Sequence, residues 1–281
     1  MSSGPVLITG CSTGIGRATA ERLAKGERTV YASARRLESI EDLAEKGCRT
    51  LALDVTDEAS MRAAVEQIER EEGAVGALVN NAGYSQNGAV ESIRLDEVRR
   101  QFETNVFGLL RMCQLVLPGM RREGRGRIVN LSSMGGKFVF PGGGAYHATK
   151  HAVEAFSDAM RFELAGFGIE VVLIEPGLIH TDFGDTSVAS ITEGTDQDGP
   201  YAEFNTAVGA ATAEGYEGPM GKLGGGPDAV AKIIAKAIDT GRPRTRYRVT
   251  ASARVLLTTR ALVPDRLWDL MVRSTYPRPG G

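Results

Sequence analysis

The sequence predicts an open α/β fold on a parallel sheet, and three observations carry that expectation. Short β-like runs alternate with longer stretches of helical periodicity throughout the 281 residues, as βαβ crossovers require. Runs such as Leu78-Val79 and Val171-Val172-Leu173-Ile174 are unbroken in apolar character, as strands covered on both faces should be. A glycine-rich turn, Thr9-Gly10-Cys11-Ser12-Thr13-Gly14-Ile15-Gly16, follows the first apolar run and opens the first helical pattern.

Taken in order, strands are expected near 5–9, 28–33, 49–53, 76–80, 126–132 and 168–175, with a short one near 245–249. Helices are expected near 14–25, 57–71, 95–120, 145–166 and 227–240, with weaker ones near 39–46, 251–262 and 265–273. The helix near 145–166 carries Ala152, Phe156, Ala159 and Leu164 at helical spacing, which reads first as a core-packing stripe. Residues 184–226 are rich in Gly, Thr, Asp and Glu with little periodicity. They read as a mobile lid or insertion rather than a second domain. Residues 1–281 then form one domain, with 251–281 a basic helical extension ending in a frayed tail from Tyr276.

The glycines of the first turn suit a phosphate site. One permits the sharp bend, one lets backbone N–H groups approach a pyrophosphate, and one lets helix and strand pack closely. The helix N-terminus then faces the anion, which makes Gly10, Ser12, Thr13, Gly14, Ile15 and Gly16 candidate cofactor residues. About twenty residues on, an acid would bind the adenosine ribose and select NAD. Here Thr29-Val30-Tyr31-Ala32-Ser33 runs into Ala34-Arg35-Arg36 with no acid. Arg35 can pair with a 2′-phosphate, so NADP(H) is preferred over NAD(H). Asp54, after the third strand, is a candidate acceptor for the adenine amino group; capping the next helix is a role better suited to Thr56 or Asp57.

Three further features recur downstream. Asn80-Asn81-Ala82-Gly83 ends the fourth strand, Asn130-Leu131-Ser132-Ser133 ends the fifth, and Tyr146-His147-Ala148-Thr149-Lys150 starts a long helix. Tyr146 and Lys150 are four apart and share a helix face. A free tyrosine, with a pKa of about 10, is a poor base at neutral pH. A neighbouring ammonium favours the phenolate and lowers that value, while Ser133 can stabilise charge developing on a substrate oxygen. His147, His151 and His180 lack acidic or cysteine partners nearby in sequence, so no metal site is expected.

With these motifs in family order, the chain resembles the classical short-chain dehydrogenase/reductase family. The resemblance spans Pro5 to about Thr181 and includes Asn105 in Glu103-Thr104-Asn105-Val106 and Pro176-Gly177. It implies a Rossmann-type sheet of seven strands in order 3-2-1-4-5-6-7 with helices on both faces. It also implies roles: Tyr146 the acid/base, Lys150 bound to the nicotinamide ribose and tuning Tyr146, and Asn105 holding a water in a proton relay. Pro176 and Gly177 would contact the nicotinamide and Thr181 its carboxamide, with Asn81 and Gly83 along the cofactor. A homodimer or homotetramer is implied, commonly through the helices near 95–120 and 145–166. The turn and Tyr31-Ala-Ser-Ala-Arg look most like the branch of 17β-hydroxysteroid dehydrogenase type 1 and retinol dehydrogenase, which handles bulky apolar alcohols and ketones.

The expected substrate is accordingly a hydrophobic ketone or aldehyde and its alcohol, steroid-, retinoid- or polyketide-like. Met134 to Ala145 should border its pocket, with Gly142 to Gly144 leaving room for a large ring system unless they serve only the turn. Phe183, Tyr201, Phe204, Tyr216 and Met220 offer opposing apolar walls. Alternatives are a 3-oxoacyl-thioester reductase and, in another class, a catalytically silent dinucleotide sensor or scaffold. The silent reading predicts a damaged catalytic group, whereas Asn105, Ser133, Tyr146 and Lys150 are all present.

Composition bounds partners and compartment. The cysteines Cys11, Cys48 and Cys113 form no C-x-x-C pair and read as reduced thiols. No apolar run approaches the roughly 18–20 residues of a membrane span, and the start offers no signal-peptide core, so a cytoplasmic protein is expected. A net charge of -2 argues against general nucleic-acid affinity. Residues 241–281 nevertheless hold nine arginines and two aspartates, hence +7, leaving -9 for the rest. Arg244, Arg246 and Arg248 would share one strand face. Apolar helices with interleaved arginines follow, which suits weak peripheral contact with an anionic membrane. The preferred reading is plainer: a solvated strand face, then helices docked on the core or a neighbouring subunit.

Overall fold

A computed structural model describes residues 4–26, 28–196 and 198–279; Gly280 and Gly281 of the expected tail lie outside them. Seven strands form one parallel sheet: β1 (Val6–Ile8), β2 (Val30–Ala34), β3 (Arg49–Ala52), β4 (Ala77–Asn80), β5 (Gly126–Leu131), β6 (Ile169–Pro176) and β7 (Arg246–Val249). Their order is β3-β2-β1-β4-β5-β6-β7, as expected, and every pairing is parallel. The order reverses between β1 and β4, opening a crevice at the C-terminal strand ends where open α/β sheets bind ligands.

Between the strands run α1 (Gly14–Lys25), α2 (Asp42–Glu45), α3 (Glu58–Glu72), α4 (Leu95–Phe102), α5 (Leu109–Arg122) and α6 (Gly144–Glu163). After β6 come α7 (Phe183–Gly194), α8 (Ala202–Glu217), α9 (Pro219–Lys222) and α10 (Pro227–Asp239), and after β7 come α11 (Ala251–Leu262) and α12 (Asp265–Arg273). Side chains alternate across the sheet: Val6 and Ile8 join the core beneath α1 and α10, and Leu7 joins the core beneath α3, α5 and α6. Over the inner strands both faces are therefore dry, which is why runs such as Val171-Val172-Leu173-Ile174 are continuously apolar, whereas the edge strands β3 and β7 are partly exposed.

The structure departs from expectation in four places. The helix expected over 95–120 is interrupted by a π-helical turn, Glu103–Gly108. Residues 184–226 are mostly helical. Their buried faces carry Ser187, Ser190 and Asn205, which bond the 86–89 segment through Gln86 Nε2 to Ser190 O (2.6 Å) and Ala89 N to Asn205 Oδ1 (2.8 Å). With these polar groups interleaved among the buried Ile191, Phe204 and Val208, the hydrophobic period is too broken to read.

The stripe on α6 is core only at its end: Leu164 is buried, but Phe156 and Ala159 are exposed and Ala152 half-buried, while Val153, Ser157 and Met160 face inward. The arginine face is solvated only in part: Arg246 turns inward to bridge Asp158 (2.6 Å) and Glu154 (3.0 Å), whereas Arg248, facing Glu175 (3.6 Å), is exposed, and the exposed Arg244 precedes the strand. α11 and α12 do dock on the core, through Ala253, Leu257 and Trp268 against Met134 and Phe138. Among the described residues no helix is long and apolar enough to cross a membrane.

Candidate active site

The β1–α1 turn takes its shape from glycine. Gly10 (φ 72°) and Gly14 (φ 58°) are left-handed, a region costly for other residues. A Cβ on Gly16 would collide with Gly10 O and the Asn81 amide. Asn81 closes the turn by donating Nδ2 to Thr9 O (2.9 Å) and Gly10 O (2.8 Å), and Thr9 Oγ1 accepts from Asn81 N and Ala82 N. Thr13 caps α1 without a side-chain hydrogen bond, so the first-turn N–H groups of a helix end stay available to an anion.

That turn opens into a cavity of about 1240 Å³. It begins at Arg35 and Asp54, passes Gly10, Ser12, Thr13, Gly14, Ile15, Asn81 and Gly83, and reaches Ser133, Tyr146, Lys150, Pro176, Gly177 and Thr181. Gly16 lies behind the turn as its packing glycine. No acid pairs with Arg35 among the described residues. Asp54 Oδ1 accepts from Thr56 N (2.9 Å) and Oγ1 (2.7 Å), and Asp57 caps α3. A left-handed glycine cradle, an uncapped helix end and a long cleft with a cation at one end fit a nicotinamide dinucleotide.

At the other end, Tyr146 and Ser133 line the same stretch of the cavity. Ser133 Oγ also accepts from Gly135 N (3.0 Å). Lys150 Nζ lies 5.8 Å from the Tyr146 ring centroid and donates to Leu131 O (2.8 Å). Burial pushes the Tyr146 hydroxyl above its ordinary value, with the nearby Ser133 hydroxyl opposing. Burial brings Lys150 down to about 8, with Glu154 opposing. The expectation that Lys150 lowers Tyr146 is therefore reversed here: the ammonium is turned to a backbone carbonyl, and loss of solvation prevails.

Asn105 sits behind the cavity wall. Its side chain is fully buried, donating Nδ2 to Tyr84 O (2.8 Å) and Thr149 Oγ1 (3.1 Å) and accepting from Tyr84 N (3.1 Å). That amide is spent on positioning the 83–84 turn and does not line the cavity. A buried ladder that sequence reasoning missed holds α6 to the sheet: Asn80 Nδ2 to Asn130 Oδ1 (2.9 Å), then Asn130 Nδ2 to Ser157 Oγ (2.9 Å). Asparagines closing two adjacent strands were its only signal.

The histidines are bound by backbone. His147 pairs with Gly135 O (2.8 Å) and Phe140 N (3.3 Å), and His151 with His147 O (2.8 Å). Burial lowers the His147 pKa. All three cysteines are free and buried, and burial raises Cys11 and Cys113 to about 12.

The substrate end is walled differently from expectation. Phe183, Tyr216 and Met220 line the main cavity, whereas Tyr201 and Phe204 line a side groove of about 350 Å³. Gly142 and Gly143 leave no spare room: a Cβ would lie 2.5 Å from Val208 and 2.6 Å from His147 respectively. The C-terminal helices supply walls the sequence did not suggest, including Leu256, Trp268, Met271 and Tyr276.

Comparison with known proteins agrees with this geometry. The short chain dehydrogenase family model matches residues 5–191. A 3-ketodihydrosphingosine reductase of Bacteroides thetaiotaomicron is 38% identical over 96% of this chain and 97% of its own. An NADPH-dependent 3-dehydrocapnine reductase of Ornithobacterium rhinotracheale is 36% identical over 94% of each. The crystal structure of a short-chain dehydrogenase from Streptomyces avermitilis superposes with a TM-score of 0.79 at 34% identity, covering 97% of this chain and 98% of that one. With the parallel sheet, the glycine turn and the Ser–Tyr–Lys grouping in one cleft, the chain belongs to the short-chain dehydrogenase/reductase family of oxidoreductases, which act on the CH–OH/C=O pair.

Proposed function

We propose that this protein is an NADP(H)-dependent reductase/dehydrogenase of bulky apolar ketones and their alcohols, with Tyr146 as its acid/base. The observation that carries the reading is Ser133, Tyr146 and Lys150 together lining one cleft with the left-handed glycine cradle of Gly10 and Gly14. When bound, the dinucleotide supplies or accepts the hydride. In reduction, the Tyr146 phenol passes its proton to the carbonyl oxygen while Ser133 hydrogen-bonds that oxygen. Burial keeps the Tyr146 phenol protonated at neutral pH, so a proton is present for the carbonyl oxygen. Lys150 lies where it can bind the nicotinamide ribose, and Gly10, Ser12, Thr13, Gly14 and Ile15 where they can bind the pyrophosphate.

Arg35, with no acid at the end of β2, supports NADP(H), as does the NADPH dependence in the name of one relative. The apolar walls favour a hydrophobic substrate, and two relatives are named for reduction at a 3-position of a lipid-like molecule. A ketone attached to a long or ring-shaped apolar body is therefore the preferred class. The exposed Phe156 and Ala159 of α6 support self-association through that helix.

The test is a panel of steroid, retinoid, long-chain 3-oxo and 3-oxoacyl-thioester substrates with both cofactors, read at the nicotinamide absorbance. NADPH-dependent turnover of apolar ketones is expected, and Tyr146→Phe should lower kcat at least about 10²-fold while sparing NADPH binding. Turnover of small polar sugars alone, or a clear preference for NADH, overturns the reading.

A further inference from the structure

Beneath the catalytic helix lies a buried charge cluster that the reaction described above does not use. Glu154 stands one helical turn after Lys150, on the same face of α6, and is 4% exposed. Its Oε2 accepts from Lys137 Nζ (2.7 Å) in the segment after β5 and from Arg246 Nε (3.0 Å) on β7. Its Oε1 is buried without a hydrogen-bond partner. Glu175, at the end of β6, is fully buried with neither oxygen hydrogen-bonded. Its neighbours are Arg246 Nε (3.3 Å) and Arg248 Nε (3.6 Å). Asp158, the next acid along α6, is held by Arg246 and Arg161.

A buried carboxylate is costly unless compensated, and two sharing one pocket repel. Burial and the Glu154 charge both push the Glu175 pKa up. The arrangement is therefore a brace with a net electrostatic purpose. Its cations tie α6, the 137 segment, β6 and β7 together, and Glu154 stands one turn from Lys150 on the same helix face. Gly136 permits this closeness: a Cβ there would lie 3.0 Å from Glu154 Cγ and 3.1 Å from Lys150 O. Pro176 and Gly177 follow Glu175 directly, so the same brace fixes the corner of the cleft opposite Tyr146.

We propose that Glu154 is a positioning residue which, through the Lys137–Glu154–Arg246–Glu175 brace, keeps Lys150 in its ammonium form and locks α6 against the end of β6. The groups facing Glu154 are Lys137, Arg246 and Glu175 from other elements, and Lys150 and Asp158 from its own. Burial pulls Lys150 toward deprotonation near neutral pH and Glu154 opposes it. The proposal rests on Lys150 belonging to the site. Its readout is the titration of one lysine in the protein alone, so it stands or falls separately from the turnover panel.

The experiment is an NMR titration of the ¹³C-labelled lysine ε-carbons in the full chain, with Lys150 assigned by Lys150→Met. Glu154→Gln should lower the Lys150 midpoint by about one pH unit, a tenfold loss of ammonium above it. Glu154→Asp should stay within about 0.3 unit of wild type. Lys137→Gln, a change at a partly exposed side chain, removes a cation competing for Glu154 and should raise the midpoint, which keeps the idea testable even if Glu154→Gln does not fold. The alkaline limb of kcat/KM should move with the midpoint. An unmoved midpoint in Glu154→Gln with kcat lowered evenly at every pH, or an unmoved or lowered midpoint in Lys137→Gln, overturns the proposal.

Discussion

Lys150 shows how a single side chain trades stability for chemistry. It is fully buried and makes one hydrogen bond, to Leu131 O, and burial holds its pKa near 8 rather than 10.5. A depressed lysine means the folded chain binds fewer protons than the unfolded chain between those values, so stability rises with pH across that window. Below pH 8 the folded protein carries the cost of a buried charge. Lys150→Met should therefore abolish turnover yet stabilise the fold at pH 7 by on the order of 1–3 kcal/mol. Urea unfolding should show that gain shrinking as pH climbs from 8 toward 10.5. The residue types of the site were legible in the sequence because Tyr146, Lys150 and Ser133 stand at fixed spacings on one helix and one strand end. Their proton affinities were not, because desolvation depends on which segments close over them.

Elements transmit that geometry. Strand ends β4 and β5 hold α6 through the Asn80–Asn130–Ser157 ladder, which crosses the layer between sheet and helix where water is absent. Asn130→Ala would leave the Asn80 amide with Cys113 Sγ alone and remove the Ser157 bond. A loss of about 1–3 kcal/mol is expected, seen as a lower urea midpoint with an unchanged m-value. Strand and helix positions on the sheet were legible because a covered strand must be apolar throughout and a covering helix must carry a stripe. The helical character of 184–226 was not, since the buried faces of α7 and α8 interleave Ser187, Ser190 and Asn205 with Ile191, Phe204 and Val208. The π-turn at Glu103–Gly108 escaped for a related reason: its periodicity differs from an α-helix by one residue over one turn.

At the scale of the whole molecule, the far end of the chain returns to roof the cleft begun by the near end. Trp268 of α12 packs on Phe138 (5.5 Å between centroids) and stacks on Phe140 (6.0 Å) while facing the cavity. Trp268→Ala should raise KM for bulky apolar ketones about tenfold and leave NADPH affinity unchanged in a fluorescence titration, because the dinucleotide cradle lies on β1–α1. An equal loss for small ketones would instead mean that the roof collapses. The +7 excess in residues 241–281 looked like a surface feature. On the folded molecule, part of it is consumed internally by Glu154, Asp158 and Glu175.

Read alone, the amino-acid order determined the sheet, its crossovers, the glycine turn and the candidate Ser–Tyr–Lys group, because each is written in local period, spacing or backbone tolerance. Tertiary structure decided what distance along the chain conceals: which glycines make room and which are filled by Val208 or His147, where Asn105 spends its amide, and which helices wall the substrate. It also decided the charge state of the buried groups, since desolvation and ion pairing are set by neighbours as far apart as Glu154 and Arg246, whose proximity no local pattern records.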